Sequence, residues 1–389
     1  MNMNRPKHIL MMTAAVLVLL LVGCGKEQGS DVGSGRDSVW DGSVATAFEN
    51  GDGSESNPFQ IKTPSQLAYL AQQVNGGNSY AGCHFEIAAD MDLAGRSWTP
   101  IGTAPRRFTG NLDGKGHKIL GLKVDADVDY AGLFGYIGHL RNPRDNGFNV
   151  VKNLVIPNAE LHALSASSGI LSGGAMYASI SGCEVSGVVE TKSSAGGLIG
   201  HAMYVEIRDC VSEVQVTAST VGALCCDIQY STIEDCTVRN SILECTSGSY
   251  AGGLCASVGS QNTISRCTCD AEVRFGRFAG GLFGKLSDSG NKVIDCIARG
   301  RIINPSIAGG GFVGYADGSG HSFENCGFEG RLEGYKNLGT IVGNDRSGSL
   351  TFTGCWYDGT KVGGLPKVGL VDSEGTDYSG ISDTKPSGV

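Results

Sequence analysis

The sequence has few charged residues, and basic residues are the scarcer kind. Of its 389 residues only 18% are charged, and 30 Lys and Arg against 39 Asp and Glu give a net charge of −9. Affinity for nucleic acid depends on neutralising phosphates with Lys and Arg. Because no basic run follows the N-terminus, the composition argues against a nucleic-acid partner.

Several catalytic motifs are also missing from the sequence. None of the seven histidines is followed by Glu, which excludes the His-Glu-x-x-His motif of zinc proteases. There is no P-loop and no Gly-x-Ser-x-Gly elbow, and the nearest approach, residues 320–322 (Gly-His-Ser), lacks the final Gly. The sequence therefore predicts no cofactor and no catalytic residue.

Glycine, in contrast, is abundant, and its 60 residues recur at fixed places in a repeat. Residues 195–200 (Ala-Gly-Gly-Leu-Ile-Gly) are followed by a cysteine, and similar segments begin at residues 221 and 251. The cysteines that mark this period lie 26 to 31 residues apart: Cys183, Cys210, Cys236, Cys267, Cys296, Cys326 and Cys355. A fixed period of this length indicates a solenoid, a propeller or another array.

Apolar residues keep a fixed phase relative to these cysteines, which is typical of short strands. Three residues before them stand Ile180, Ile207, Ile233, Ile264, Val293, Phe323 and Phe352. Six residues after them stand Val189, Val216, Ile242, Val273, Ile302 and Leu332, until Lys361 breaks the pattern. The period is shorter than the roughly 40–45 residues of a propeller blade. The sequence therefore predicts an all-β fold, a parallel β-helix with coils of about 26–31 residues.

The seven repeat cysteines are expected to point inward and to stack as small apolar side chains. Neighbouring coils would bring their Cα atoms within disulfide range, but parallel side-chain directions oppose bonding. We therefore expect a mostly reduced structural ladder. Zinc binding is not expected, since zinc requires tetrahedral convergence rather than a row of ligands.

The N-terminus has the features of a targeting segment. Arg5 and Lys7 precede an apolar run that ends shortly before Cys24, and a short run with a positive flank predicts a signal peptide over residues 1–23. The small residue before Cys24 resembles a bacterial lipobox, which implies lipidation of Cys24 and a membrane anchor, with palmitate among the acyl chains. The alternative is an uncleaved signal anchor. Residues 24–39 are predicted to be a flexible, glycine-rich tether.

Three further regions are predicted along the mature chain. Residues 40–130 should form an N-terminal cap and the first coils, including one short capping helix. Residues 63–66 (Thr-Pro-Ser-Gln) form a capping box at its start, and residues 75–77 (Asn-Gly-Gly) should end it. Residues 131–358 should contain the repeats, and residues 359–389 the C-terminal tail, which should be polar and loose over residues 372–389.

Three segments together carry a resemblance to a known family. Residues 57–61 (Asn-Pro-Phe-Gln-Ile), 108–119 and 131–135 (Ala-Gly-Leu-Phe-Gly) make the chain similar to the GLUG-repeat surface proteins of bacteria, whose repeats accompany IgA-cleaving metalloproteases and adhesin-like lipoproteins. The resemblance implies a right-handed β-helix at the cell surface and does not imply an enzyme. Two departures are an insertion at residues 139–148, expected on a loop, and Cys225-Cys226, where Cys226 should make its coil bulge.

Other candidate residues have both a functional and a structural interpretation. Asp125, Asp127 and Asp129 have the oxygen spacing of a calcium loop, but a solvated acidic turn fits as well. An acidic and amide row stands directly before the cysteines, and before Leu154 at the same place in an earlier copy. It fits a catalytic face or, more simply, a column of turns: Asn153, Asp209, Asp235, Asp295 and Asn325. Aromatic residues in the flanking loops fit either a recognition surface or packing between coils: Tyr177, Tyr204, Tyr230, Tyr250, Phe275, Phe278, Tyr315 and Tyr335.

These observations predict a lipid-anchored β-helix at the bacterial cell surface that binds a glycan or a cell-surface protein without catalysis, as an adhesin does. One alternative is a carbohydrate-active β-helix enzyme, a polysaccharide lyase or glycosidase. It would require two or three carboxylates to converge with Lys or Arg in one groove. The other alternative is a passive surface spacer.

Overall fold

The protein is a parallel β-solenoid of about eleven turns with one short α-helix near its N-terminal end, as the sequence predicts. The structure, a computed structural model, describes residues 38–125, 127–143, 147–164, 167–371 and 375–386. The predicted signal peptide and Cys24 lie outside the described residues, as does most of the tether. Among the described residues, the strands of each sheet are paired in parallel along the solenoid.

Three long sheets form the walls of the solenoid. The first sheet has eighteen strands: Phe59–Ile61, His84–Ile87, Asn111–Asp113, Phe134–Gly138, Asn149–Lys152, Ser172–Ser181, Ile199–Arg208, Cys225–Gln229, Thr232–Glu234, Cys255–Val258, Thr263–Ser265, Phe283–Leu286, Lys292–Ile294, Val313–Ala316, Ser322–Glu324, Val342–Asp345, Thr351–Thr353 and Val368–Val371. The second has twelve: Lys123–Asp125, Val155–Ala163, Glu184–Thr191, Val211–Ala218, Thr237–Cys245, Thr268–Arg274, Ile297–Ala298, Arg301–Ile303, Gly327–Phe328, Arg331–Glu333, Cys355–Tyr357 and Ile381–Ser382.

The third sheet has eight short strands: Tyr130–Ala131, Ser167–Ser168, Ser194–Gly196, Thr220–Gly222, Tyr250–Gly252, Phe278–Gly280, Ala308–Gly310 and Leu338–Gly339. A separate pair, Met91–Asp92 and Ile119–Leu120, completes the first coils. The three walls enclose one continuous hydrophobic core.

The helix Pro64–Gly76 begins and ends where the sequence predicts. The Thr63 side chain accepts a hydrogen bond from the backbone N–H of Gln66, and the Gln66 side chain accepts one from Thr63 in return, so the capping box is complete. Gly77 ends the helix in the left-handed conformation, with φ 112°. Leu67, Leu70 and Val74 are fully buried, which is consistent with a helix that closes this end of the core.

On the first sheet, the apolar core residues line up between neighbouring coils as the sequence predicts. The residues three before the cysteines are partners in neighbouring strands, such as Ile207 with Ile233 and Ile264 with Val293. On the second sheet, the predicted phase is wrong at Ile242. The strand register shifts by one residue there, so that Val216 pairs with Leu243, which is fully buried, while Ile242 is half-buried.

Two further expectations are corrected. The coils continue past residue 358, because Val368–Val371 pairs with Val342–Asp345 and Ile381–Ser382 pairs with Cys355–Tyr357. This region therefore contains another turn of the solenoid rather than a loose tail alone.

Cys226 does not cause a bulge, since both of its neighbours keep regular pairing and its small side chain is buried.

Candidate functional site

The seven repeat cysteines lie in the core. All are free thiols with at most 1% of their surface exposed. Each thiol donates a hydrogen bond to the backbone carbonyl two residues earlier, over 3.2–3.7 Å. Within the described part of the chain, no group of three or more His, Cys, Asp or Glu side chains could hold a metal ion. The arrangement of this column suits packing rather than chemistry.

The row of residues that precede these cysteines is a column of turns. All of them have a left-handed backbone, with φ between 51° and 63°, including Arg266 (φ 53°) and the glycines at 182 and 354. Their side chains bond to one another between coils, for example from Arg266 to both carboxylate oxygens of Asp235 at 2.8 Å. The structural interpretation of the acidic row is confirmed, because these side chains support corners.

The calcium candidates lie at the surface. Asp125, Asp127 and Asp129 are exposed, and none of them belongs to a metal-binding group among the described residues.

An open groove on the first coils brings charged side chains together. It has a volume of about 390 Å³ and lies on the outer face of the first sheet. Its lining combines charged and polar residues with apolar ones: Glu55, His84, Glu86, Asn111, Asp113, Lys115 and Lys152 lie beside Pro58, Phe85, Leu112, Phe148 and Val150. The groove is the feature that most resembles the convergence an enzyme would need.

The charges in the groove are paired with one another. Lys115 Nζ lies 2.9 Å from Glu86 Oε1 and 3.7 Å from Asp113 Oδ2, and Lys152 Nζ lies 3.5 Å from Asp113 Oδ2. Burial acts to raise the pKa of Asp113, but hydrogen bonds from Asn153 and the Lys115 backbone, with the two lysine charges, lower it overall. A carboxyl that serves as a general acid needs a raised pKa, so Asp113 is poorly suited to that role.

Beside the groove, three tyrosine rings stack along the solenoid, and a tilted phenylalanine ring contacts the first of them. Tyr177 and Tyr204 have ring centroids 4.7 Å apart and planes 8° apart, and Tyr204 and Tyr230 are 4.8 Å and 10° apart. Phe148 contacts Tyr177 at 6.0 Å. We call Phe148, Tyr177, Tyr204 and Tyr230 the aromatic ladder. Because Phe148 also lines the groove, the groove and the ladder form one continuous surface.

The backbone of the ladder is strained. Tyr177, Tyr204 and Tyr230 have φ of 51°, 56° and 51°, a region that costs a residue with a side chain roughly 1–2 kcal/mol. An aromatic pair gains only about 0.5–1.5 kcal/mol beyond its burial. Stacking therefore roughly offsets the strain and leaves little net stabilisation. A glycine would fit the same corner without strain, which favours a role for these rings outside folding.

The other predicted aromatic residues do not belong to the ladder. Tyr250, Phe278 and Tyr315 form a second cluster, with Phe278 and Tyr315 centroids 4.7 Å apart and Lys285 Nζ 5.6 Å from the Tyr250 ring. Phe275 (46% exposed) and Tyr335 (99% exposed) lie outside both clusters.

Sequence reasoning missed the groove. Its charged residues come from the first coils, where no cysteine marks the period, so nothing in the sequence placed Glu86, Asp113 and Lys152 side by side. A usable signal was the pair of segments 84–86 and 111–113, in which polar residues flank one apolar residue. The two segments are neighbouring strands in register.

Comparisons with known proteins give partial matches. No family model matches the chain, so the GLUG-repeat resemblance stays a prediction. A protein of Evansella cellulosilytica named "Putative Gly-rich membrane protein" is 31% identical over 159 residues, 39% of this chain and 16% of that protein. Halomucin of Haloquadratum walsbyi is 27% identical over 193 residues, 46% of this chain and 2% of that protein. The chain thus spans a small part of the length of both relatives.

A solved structure from Bacteroides ovatus, named "putative immunoglobulin A1 protease", aligns over 87% of both chains with 20% identity and a TM-score of 0.44. No helix among the described residues has both the length and the apolar character that a membrane span requires.

Proposed function

We propose that this protein is a non-catalytic, lipid-anchored scaffold of the bacterial cell envelope that binds an extended glycan along the groove and the aromatic ladder. The lipid anchor would be on Cys24, and the glycine-rich residues after it would give the solenoid reach. The function is adhesin-like, since the surface holds a ligand in place without changing it.

The observation that carries the proposal is the continuity of the ladder with the groove through Phe148. A chain of sugars needs an elongated surface with aromatic rings that contact its apolar faces and polar groups that reach its hydroxyls. Three strained tyrosines in successive coils supply the rings, and the adjacent strands present Ser179, Thr232 and the charged side chains of the groove.

A location in the envelope is supported by the N-terminal sequence and by the names of the two relatives, a membrane protein and Halomucin. A hydrophobic run followed by a lipobox-like cysteine fits a lipoprotein. Two or more acyl chains would hold the protein firmly, because a single chain anchors only marginally.

A carbohydrate-active enzyme is the second candidate, and the groove is the observation that favours it. Glu86 and Asp113 lie with two lysines in one open groove, which is the convergence expected of such an enzyme. Against it, each of these carboxylates is held by a lysine, and the lowered pKa of Asp113 opposes proton donation at neutral pH.

The test is binding and turnover measured on the same purified full-length protein. We expect a glycan array to give ligands that bind the wild type and release no new reducing ends. The variant Tyr177→Gly/Tyr204→Gly/Tyr230→Gly should stay folded and lose binding, while Tyr335→Gly, at an exposed tyrosine outside the ladder, should keep it.

New reducing ends that disappear in Glu86→Gln or Asp113→Asn would overturn the proposal in favour of the enzyme. A wild-type protein that binds no glycan at all would also overturn it. Such a result would leave a cell-surface protein ligand or a passive spacer.

A further inference from the structure

Tyr230 differs from the other members of the aromatic ladder because it ends the stack. The inner faces of the ladder are covered by neighbouring rings. In the next coil the equivalent left-handed corner carries Gln261 (φ 53°) in place of a ring, and the Tyr230 backbone N–H donates to the Ser260 carbonyl at 2.8 Å. Tyr230 is 38% exposed, so part of its ring is accessible beside Gln261.

Uncharged hydrogen-bonding groups lie near the exposed part of this ring, together with the carboxylate of Asp288, whose Oδ2 would lie 3.3 Å from a Cβ atom at Gly259. Gln229 directly precedes Tyr230, and Thr232 pairs with Thr263 on the outer side of the same sheet. A side chain at Gly259 would come within 2.7 Å of the Gln229 Cγ atom, so glycine at this position makes room for the Gln229 side chain. Gln261 follows at an exposed corner. Amides and hydroxyls can both donate to and accept from sugar hydroxyls.

The two arginines nearest this ring, Arg208 and Arg266, are held in ion pairs. Arg208 donates to Glu206 and Glu234, both at 2.8 Å, and Arg266 is held by Asp235. Asp227 lies 2.9 Å from His201. Lys292 is exposed and lies two strands from Thr232 along the outer column, since Thr263 is the strand neighbour of both residues. A polyanionic ligand on the Tyr230 ring would therefore meet carboxylates and paired arginines, with the Lys292 cation two strands away.

We infer that Tyr230, Gln229, Thr232, Ser260 and Gln261 form a subsite for one uncharged pyranose, so that the glycan bound by this surface is neutral rather than polyanionic. The apolar face of the sugar lies on the open ring of Tyr230, and its hydroxyls bond to the amide and hydroxyl side chains around it. This inference rests on the proposed glycan-binding function.

The experiment compares neutral and acidic polymers with one pair of variants. Full-length wild type, Tyr230→Gly and Phe275→Gly are titrated with N-acetylchitohexaose, cellohexaose and polygalacturonate. Phe275 is a matched control, since it is also aromatic, exposed and left-handed (φ 68°) but lies outside the ladder. We expect a neutral oligosaccharide to bind, Tyr230→Gly to weaken it about tenfold or more, and Phe275→Gly to leave it unchanged.

Each other outcome decides against the neutral subsite alone or against both the subsite and the glycan-binding function. Binding of polygalacturonate in preference to both neutral oligosaccharides, with loss in the triple tyrosine variant, would overturn the neutral subsite and leave the glycan-binding function standing. Neutral binding that Tyr230→Gly does not weaken would overturn the subsite alone. Binding of none of the three polymers, together with a blank glycan array, would overturn the proposed function and the subsite with it.

Discussion

Replacing Cys267 by Asp tests whether the cysteine column lies in the core. The Cys267 thiol is 1% exposed and bonds to the Ser265 carbonyl at 3.3 Å. No Lys or Arg is buried in the part of the core that the structure describes, so the folded protein would hold an aspartate there in the neutral form. The pKa of the new carboxyl would therefore be higher in the folded protein than in the unfolded chain.

The size of the effect follows from that pKa difference. Neutralising a carboxyl with an unfolded pKa of about 3.9 costs about 4 kcal/mol at pH 7 and about 1.5 kcal/mol at pH 5, at about 1.4 kcal/mol per pH unit. Burying the neutral carboxyl adds roughly 1–3 kcal/mol. The variant should thus lose about 5–7 kcal/mol at pH 7 and about 2.5 kcal/mol less at pH 5.

Urea unfolding under reducing conditions at the two pH values measures this loss. Gln261→Asp is the control, because Gln261 is exposed in the same coil at a left-handed corner that Asp tolerates. It should change stability by about 0.5 kcal/mol or less. Wild-type stability of Cys267→Asp at pH 7 would refute the inward column and with it the coil register.

Two further predictions concern buried titratable groups. Burial lowers the pKa of His321, whose Nε2–H donates to the Asp317 carbonyl while Nδ1 accepts from Asn291. Stability should therefore be complete above about pH 6.5 and fall as the pH drops towards the folded-state pKa, and His321→Asn should flatten this slope in urea titrations. Burial acts to raise the pKa of Asp345, but hydrogen bonds from Ser347, Tyr378 and Thr376 lower it overall. The contribution of Asp345 to stability should therefore be complete above about pH 4 and be lost as the pH falls through the folded-state pKa. Asp345→Asn should weaken these hydrogen bonds by roughly 1.5–3 kcal/mol each. The last coil should then open more readily, which is measured as faster amide exchange over residues 368–371. Unchanged exchange there would contradict this role of Asp345.

Much of the fold could be predicted because one coil repeats with little variation. Ile264 lies three residues before its cysteine, and its partners in register are Ile233 and Val293. Prediction failed where the coil length changed locally. The left-handed Asn240 takes up one extra residue and moves Leu243 into the place predicted for Ile242. The sequence did not reveal the last coil because no cysteine marks it. Ile381 stands at the position that a further repeat cysteine would occupy, and it pairs with Cys355.

The candidate site could be predicted only in part. The tyrosines at 177, 204 and 230 stood out as aromatic residues in loops, but their stacking depends on the register between coils, which a single coil does not contain. The groove depends on the irregular first coils, where the distance between Glu86 and Lys115 cannot be obtained from a period. Long-range pairing, rather than local propensity, places these side chains together.

The most direct test of the account is to map where a bound glycan protects the protein. Hydrogen exchange of the full-length protein, with and without a saturating glycan from the array, should show protection over residues 147–152, 174–181, 199–208 and 225–234. These segments contain the edge of the groove and the whole ladder. Protection confined to the second sheet or to the Tyr250 cluster, or none at saturation, would contradict the claim that this surface binds the ligand.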